Sequence, residues 1–390
     1  MHFYWNKGNS AHCLPNWKGA CPLSRTDSLA LRTDTPSTPA ASAPLSPRGD
    51  CALPSLGRTV TTAVPDTLRI GLLGCGVVGG GVVETLHQNA RHIEAEHGVR
   101  LDIVRAAVRD VQRERSVHVR RSWLCSDWRE VCEADDVDLV IEVMGGTSPA
   151  REAIATALTH GKHVVTANKQ LLAACGVELQ ALAATVDRRL LFEASVLGGI
   201  PAIHILHTYF GANRIRALRG IVNGTSNYIL TQMADTGLSF ADALAEAQRL
   251  GYAEADPSAD VEGYDALYKL QILARCGLRI DLPEAAVTRV GIMGVTSADL
   301  AAAKRLGCKV KHVAEVRLAA DGRVSAQVAP VVVAPSDPLY AIDGVQNALV
   351  VTGDLVGDLT FAGPGAGAWP TASAIVEDVL KVIKAVPGHS

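Results

Sequence analysis

Five carboxylates, Glu254, Asp256, Asp260, Glu262 and Asp265, fall within twelve residues of chain, and a single lysine, Lys269, follows them. Pro257 blocks a helix before it, which leaves the first carboxylates on a loop and lets the later ones enter a helix. Asp265 and Lys269 are four apart and therefore share one helix face. On a surface that spacing makes an ordinary ion pair worth roughly a few tenths of a kcal/mol. Here Leu270, Ile272, Leu273 and Ala274 follow at once, so the helix is apolar and expected to be buried. A buried lysine among carboxylates is suited to proton transfer, and surplus carboxylates facing a pocket suit a substrate ammonium group.

Two other stretches have similar character. Val165-Thr166-Ala167-Asn168-Lys169 sets a lysine at the carboxyl end of a strand, where ligands bind in open α/β sheets. Phe192 to Pro201 ends another strand in a loop with exposed carbonyls, and Glu193 could join them around a hard cation. From spacing alone both read as structural before catalytic. A third signal is Gly74-Cys75-Gly76-Val77-Val78-Gly79. The pattern is weak in isolation, but it follows an apolar run and opens a helix-compatible stretch. Gly74 allows a tight turn, Gly76 lets backbone approach a pyrophosphate, and Gly79 lets helix and strand pack closely. The free N–H groups of the helix then face the phosphates. At the end of the second strand, Arg109 favours the 2′-phosphate of NADP, while Asp110 leaves NAD open.

These groups need a frame. Leu68 to Leu73, Leu101 to Val108, Val137 to Val143 and His163 to Thr166 read as strands, with helical stretches from the glycines to about His97 and from Pro149 to His160. Alternating strands and helices predict a doubly wound parallel sheet of Rossmann type. From Ile215 the alternation loosens, with an Asp321-Gly322 turn between two strand-like runs, which predicts a second, α+β domain. Residues 1–66 hold 8 of the 18 prolines and show no helical or strand period, so they read as a disordered leader. Aromatics are only 4% against 48% apolar residues, so the cores must be built from Ala, Val, Leu and Ile. A net charge of -3 carries no electrostatic footprint for nucleic acid or an anionic membrane surface. No uninterrupted apolar run reaches the roughly 18 residues of a membrane span, which excludes a membrane protein. The nine cysteines form no C-x-x-C pair, so neither a zinc site nor a disulfide framework is expected.

Taken together the motifs resemble homoserine dehydrogenase. The matching text is GLLGCGVVG, VTANK, EASVLGGIP, GIVNGTSNYIL, AQRLGYAEADPSADVEGYDALYKL and GPGAGAWPTAS, in the family's order over 67–390. The carboxylate block and the NGTSNYIL segment are specific, and the glycine fingerprint is not. The resemblance implies NAD(P)-dependent hydride transfer between L-aspartate 4-semialdehyde and L-homoserine, on the route to threonine, methionine and isoleucine. It implies that Lys269 exchanges the substrate proton with Asp265 as its partner. Glu254 and Asp260 then bind homoserine, and Lys169 reaches both substrate and nicotinamide. Gly74, Cys75, Gly76, Val77, Val78, Gly79, Arg109, Thr147, Lys169 and Gly367 are implied to hold the cofactor. Glu193, with backbone oxygens of Val196, Gly198 and Ile200, is implied to hold a sodium ion at the domain junction.

The same resemblance implies a nucleotide domain over 67–200, completed by a C-terminal segment 363–390 whose helix starts near Thr371 and packs back on it. A catalytic and dimerisation domain spans 201–362. It implies a cytoplasmic homodimer acting on a small molecule. The chain departs from the family in its leader and in Ser226, which stands where a second threonine is common. Its end at Ser390 leaves no room for a regulatory ACT domain, so no threonine feedback through one is expected. A different two-domain enzyme, such as an aspartate dehydrogenase, would explain the fingerprint but not the Asp265 and Lys269 block. A regulator that binds NADP without catalysis would need dispensable lysines. A purely structural partner is disfavoured because the polar motifs gather at strand ends.

Overall fold

β1 (Thr67–Leu73) is nearly all buried, as an inner strand covered on both faces must be. The computed structural model describes residues 66–115 and 118–384, so the expected leader, apart from Asp66, lies outside the described residues. After β1 come α1 (Val77–His97), β2 (Arg100–Ala107), β3 (Leu124–Cys125), α2 (Arg129–Cys132) and β4 (Leu139–Glu142). Then follow α3 (Ala150–Thr159), β5 (His163–Thr166), α4 (Lys169–Thr185) and β6 (Leu190–Leu191). All these strands pair parallel in the order β3-β2-β1-β4-β5-β6. That is the doubly wound arrangement expected, with its reversal of strand order between β1 and β4, where such sheets bind ligands.

The chain then enters a second sheet. Its elements are α5 (Ala202–Thr208), β7 (Ile215–Ile221), α6 (Gly224–Thr236), α7 (Phe240–Arg249), α8 (Ser258–Val261) and α9 (Tyr264–Leu273). They continue through β8 (Thr288–Arg289), α10 (Ser297–Arg305), β9 (Lys309–Leu318), β10 (Val324–Val333), β11 (Gln346–Gly353) and β12 (Gly357–Pro364). The sheet order is β12-β11-β7-β9-β10-β8, antiparallel except where β8 joins β10. The Asp321-Gly322 turn joins β9 to β10 as the sequence predicts, with Gly322 at φ 82°.

α11 (Ala368–Lys384) returns to the first sheet. It starts three residues earlier than expected because Pro370 falls in the first turn, where no intrahelical N–H bond is lost. Its Ala372, Ile375, Val379 and Leu380 share one apolar core with Ile70, Leu72, Val82 and Leu86. The contact is close: a Cβ on Gly81 would stand 2.8 Å from the Ala368 carbonyl oxygen. A second continuous core runs from Val140 and Leu158 through Leu172 on α4 and Leu270 on α9 to Leu218 and Val316 in the second sheet. α4 and α9, which carry the two candidate lysines, are thus packed into one body. No helix among the described residues is long and apolar enough to cross a membrane. None of the described cysteines forms a disulfide.

Candidate active site

Gly263, at φ 87°, breaks the chain between α8 and α9, so Asp265 falls in the first turn of α9. A carboxylate is favoured there by the unpaired N–H groups of the helix start. Lys269 follows one turn on, and its Nζ donates to Asp265 Oδ2 at 2.8 Å and to the Val222 carbonyl at 2.7 Å. Both residues are buried, Asp265 at 4% exposure and Lys269 at 6%. From the other sheet, Lys169 reaches across from the start of α4 to Asp265 Oδ1 at 2.9 Å, with 44% of its side chain still exposed. Asn168 fixes that helix start, its side-chain oxygen accepting the Leu171 N–H at 3.1 Å.

Asn223 completes the arrangement. Its Nδ2 donates to Asp260 at 2.7 Å and to Asp265 at 2.8 Å, while its Oδ1 caps α6 through the Ser226 N–H. The sequence gives its motif, NGTSNYIL, no role of its own. Its position at a strand end before Gly-Thr-Ser is a helix-start signal, but the bridge between two aspartates is a tertiary fact. The Val222 carbonyl left no signal, since backbone acceptors carry no residue identity.

Two lysines on one buried carboxylate are driven apart in acidity. Burial pulls the Lys269 pKa below the ordinary lysine value despite the charge of Asp265. The charge of Asp265 outweighs burial at Lys169 and raises its pKa. For Asp265 burial alone would raise the pKa, but the two ammonium groups and the Lys269 and Asn223 bonds hold it well below the usual carboxylate range. Burial, then the charge of Asp265, pushes the half-buried Asp260 up. Titratable groups whose environments separate them in this way are suited to divided acid and base roles.

Of the five clustered carboxylates, only Asp260 and Asp265 join this network. Glu254 is exposed on the loop before α8, where the Gln248 side chain holds its carbonyl at 3.0 Å, and its charge contributes to the rise at Lys169. Asp256 instead turns the chain into α8 by accepting the Ser258 N–H at 3.1 Å.

The glycine turn fits a dinucleotide. A Cβ on Gly74 would stand 2.8 Å from the Val143 carbonyl oxygen and one on Gly79 2.3 Å from the Gly74 oxygen, while nothing lies within 4 Å of one on Gly76. The first and third positions are therefore closed by packing, and the middle one is open. α1 begins without a side-chain cap, with Val77 77% exposed and Val78 half-buried, so its first N–H groups are available to phosphates. Burial raises the Cys75 thiol pKa, and the Arg115 guanidinium acts against that rise. Arg109 is exposed just past β2, whereas Arg115 folds back to the carbonyls of Arg113 at 2.8 Å and Asp110 at 2.9 Å. Thr147 is exposed in the turn after β4, and Gly367, at φ 120°, precedes α11.

Glu193 differs from its expected use. Its carboxylate accepts the N–H groups of Ile203 and His204, both at 2.8 Å, and pairs with Lys381 at 3.3 Å. The side chain is thus engaged in capping α5 instead of joining the carbonyls of Val196, Gly198 and Ile200. The Ile200 carbonyl accepts the Ala202 N–H at 2.7 Å. Among the described residues, no three His, Cys, Asp or Glu side chains are grouped to hold a metal ion.

The chain is similar in sequence and fold to known proteins. The family described as homoserine dehydrogenase matches residues 201–380, and its NAD binding domain matches residues 74–193. The chain is 42% identical over 320 residues to a homoserine dehydrogenase of Neisseria gonorrhoeae, covering 82% of this chain and 73% of that protein. Among solved structures it resembles a homoserine dehydrogenase from Thiobacillus denitrificans, with a TM-score of 0.78, 42% identity, and 82% and 73% of the two chains covered. A hyperthermophilic archaeal homoserine dehydrogenase in complex with NADPH is similar at a TM-score of 0.69 and 27% identity, with 83% of this chain and 100% of that one covered.

Proposed function

The chain belongs to the homoserine dehydrogenase family, and on that premise we propose that Lys269 exchanges the proton with the substrate's oxygen. The reaction is reversible interconversion of L-aspartate 4-semialdehyde and L-homoserine by an NAD(P)-dependent oxidoreductase, on the route to threonine, methionine and isoleucine. The nicotinamide cofactor, when bound, supplies or accepts the hydride. The observation that carries the proton role is the pair of lysines on Asp265.

Reducing the aldehyde develops negative charge on its oxygen, so the site must stabilise that charge and deliver a proton. Lys269, with two of its donors fixed by Asp265 and the Val222 carbonyl, has one N–H left to give. Its lowered pKa suits it to release that proton and to take it back in homoserine oxidation. Lys169, with its raised pKa, stays an ammonium and balances the developing charge. Asp265 keeps both lysines aimed. Glu254 and Asp260 select the substrate ammonium group.

The nucleotide is held by residues 67–200 with the segment 363–390, through Gly74 to Gly79, Arg109, Thr147, Lys169 and Gly367. Residues 201–362 supply catalysis and dimerisation. Arg109 beyond β2 favours NADP over NAD. A sodium ion at the junction would be held by main-chain oxygens of Glu193, Val196, Gly198 and Ile200, since the Glu193 carboxylate is engaged elsewhere. The working form is a cytoplasmic homodimer, which light scattering on the purified chain checks.

The deciding experiment follows absorbance at the nicotinamide band with L-homoserine, using NADP and NAD in parallel, for wild type and Lys269→Ala. Turnover by wild type and its loss in the variant support the reading. A wild type that binds cofactor and ignores both homoserine and aspartate semialdehyde would sink it.

A further inference from the structure

Glu142, the last residue of β4, is 0% exposed, and the proton-transfer network leaves it unused. The groups around its carboxylate are donors. The Thr166 hydroxyl donates at 2.6 Å, the Met144 N–H at 2.8 Å and the Asn168 amide at 3.5 Å. An ionised carboxylate only accepts, so it answers all three without conflict. Burial raises its pKa, and these donors with the Gly145 N–H offset part of that rise.

The donors tie together the loops that follow two adjacent strands. Thr166 ends β5, and its hydroxyl also accepts the Asn168 N–H at 3.0 Å. The Asn168 amide reaches back to the Gly146 carbonyl at 2.7 Å, while its oxygen caps α4 at Leu171. The turn after β4, with Thr147, and the start of α4, with Lys169, are therefore held by one buried frame. Resting on the reading of Lys169 given above, we infer that Glu142 is a positioning residue. Through Thr166 and Asn168 it sets the start of α4 so that Lys169 meets Asp265 across the junction of the two sheets.

Glu142→Gln puts an NH2 group against at least one of these donors where no water can mediate. The test is a double-mutant cycle of Glu142→Gln with Lys169→Met, read as kcat and KM for homoserine. Glu142→Gln is expected to lower kcat about 10- to 100-fold, and the double variant to be no slower than Lys169→Met alone. Losses that multiply, or wild-type kcat in Glu142→Gln, overturn the inference. Thr166→Val is expected to match Glu142→Gln, and Thr166→Ser to recover what Val loses; equal losses in Val and Ser overturn it even if Glu142→Gln fails to fold. Amide exchange separates this inference from the role given to Lys169. If Lys169→Met turns over normally, that role fails. Glu142→Gln must still speed exchange in residues 144–147 and 168–172 together, with β1 and β2 unchanged. Unchanged exchange in both segments overturns the placement of Glu142.

Discussion

Asp265 and Glu193 each anchor a buried cluster made of the same parts, acids and lysine ammonium groups, yet the two clusters end differently. At Glu193 the donors are the Ile203 and His204 amides of α5 and Lys381 of α11, and for Asp378 the Glu193 N–H at 2.7 Å. Lys381 spans both acids, and burial raises the pKa of each. The result fastens α11 to the start of α5. At Asp265 the donors come from α4, α9 and the loop before α6, and the lysines are pushed in opposite directions. Asp260 and Glu254 remain as acids beyond those needed to hold the fold. Burial of charge therefore does not mark function by itself. The mark is a set of charges that the fold does not use up and that stays open to a ligand.

The comparison breaks most directly on the lysines. Lys269→Ala is expected to lower kcat about a thousandfold or more in a folded protein that still binds cofactor, read by steady-state rates and cofactor fluorescence. Lys381→Ala is expected to leave kcat within about twofold but to cost about 3 kcal/mol of stability in denaturant unfolding, because two buried acids lose their cation. A large kcat loss in Lys381→Ala would erase the distinction between the clusters.

Lys169→Met sharpens it by removing charge stabilisation while leaving the proton carrier. We expect a loss of about 10- to 100-fold in kcat/KM, smaller than at Lys269. With Lys269 as the proposed base, homoserine oxidation should rise in the pH profile through an apparent pKa below the ordinary lysine value of about 10.4, because its pKa is lowered. A limb at or above that value would point to another base.

The smallest effect is the pH dependence of Tm, and its sign differs between clusters. Asp265 has a lowered folded pKa, so its contribution is present above the unfolded value of about 3.9 and lost as pH falls through the folded one. Glu193 has a raised folded pKa, so its contribution is present below about 4.3 and lost as pH rises through the folded one. Asp265→Asn should flatten the acid limb of Tm against pH, and Glu193→Gln should flatten the decline above pH ~4. Identical profiles in both variants would contradict these opposite signs.

Much of the first sheet could be read from local pattern. β5 is found at its expected residues and α1 ends at His97 as expected, because a strand buried on both faces and a glycine turn before a helix leave strong local signals. The two-residue strand β3 was too short to show a period. The last helix, expected from about Thr371, starts at Ala368 with Pro370 inside its first turn, since a backbone N–H there needs no helical partner.

The candidate site divides along the same line. The spacing of Asp265 and Lys269 by itself determined that they share a helix face, and the glycines by themselves determined a turn open at Gly76, because both depend on residues a few positions apart. Only the tertiary structure decided that Lys169 and Asn223 meet Asp265, that Thr166 and Asn168 meet Glu142, and that Lys381 meets Glu193. Those contacts join residues far apart in the chain, and which donor fills a buried acceptor is chosen by packing between sheets, on which local sequence leaves no pattern.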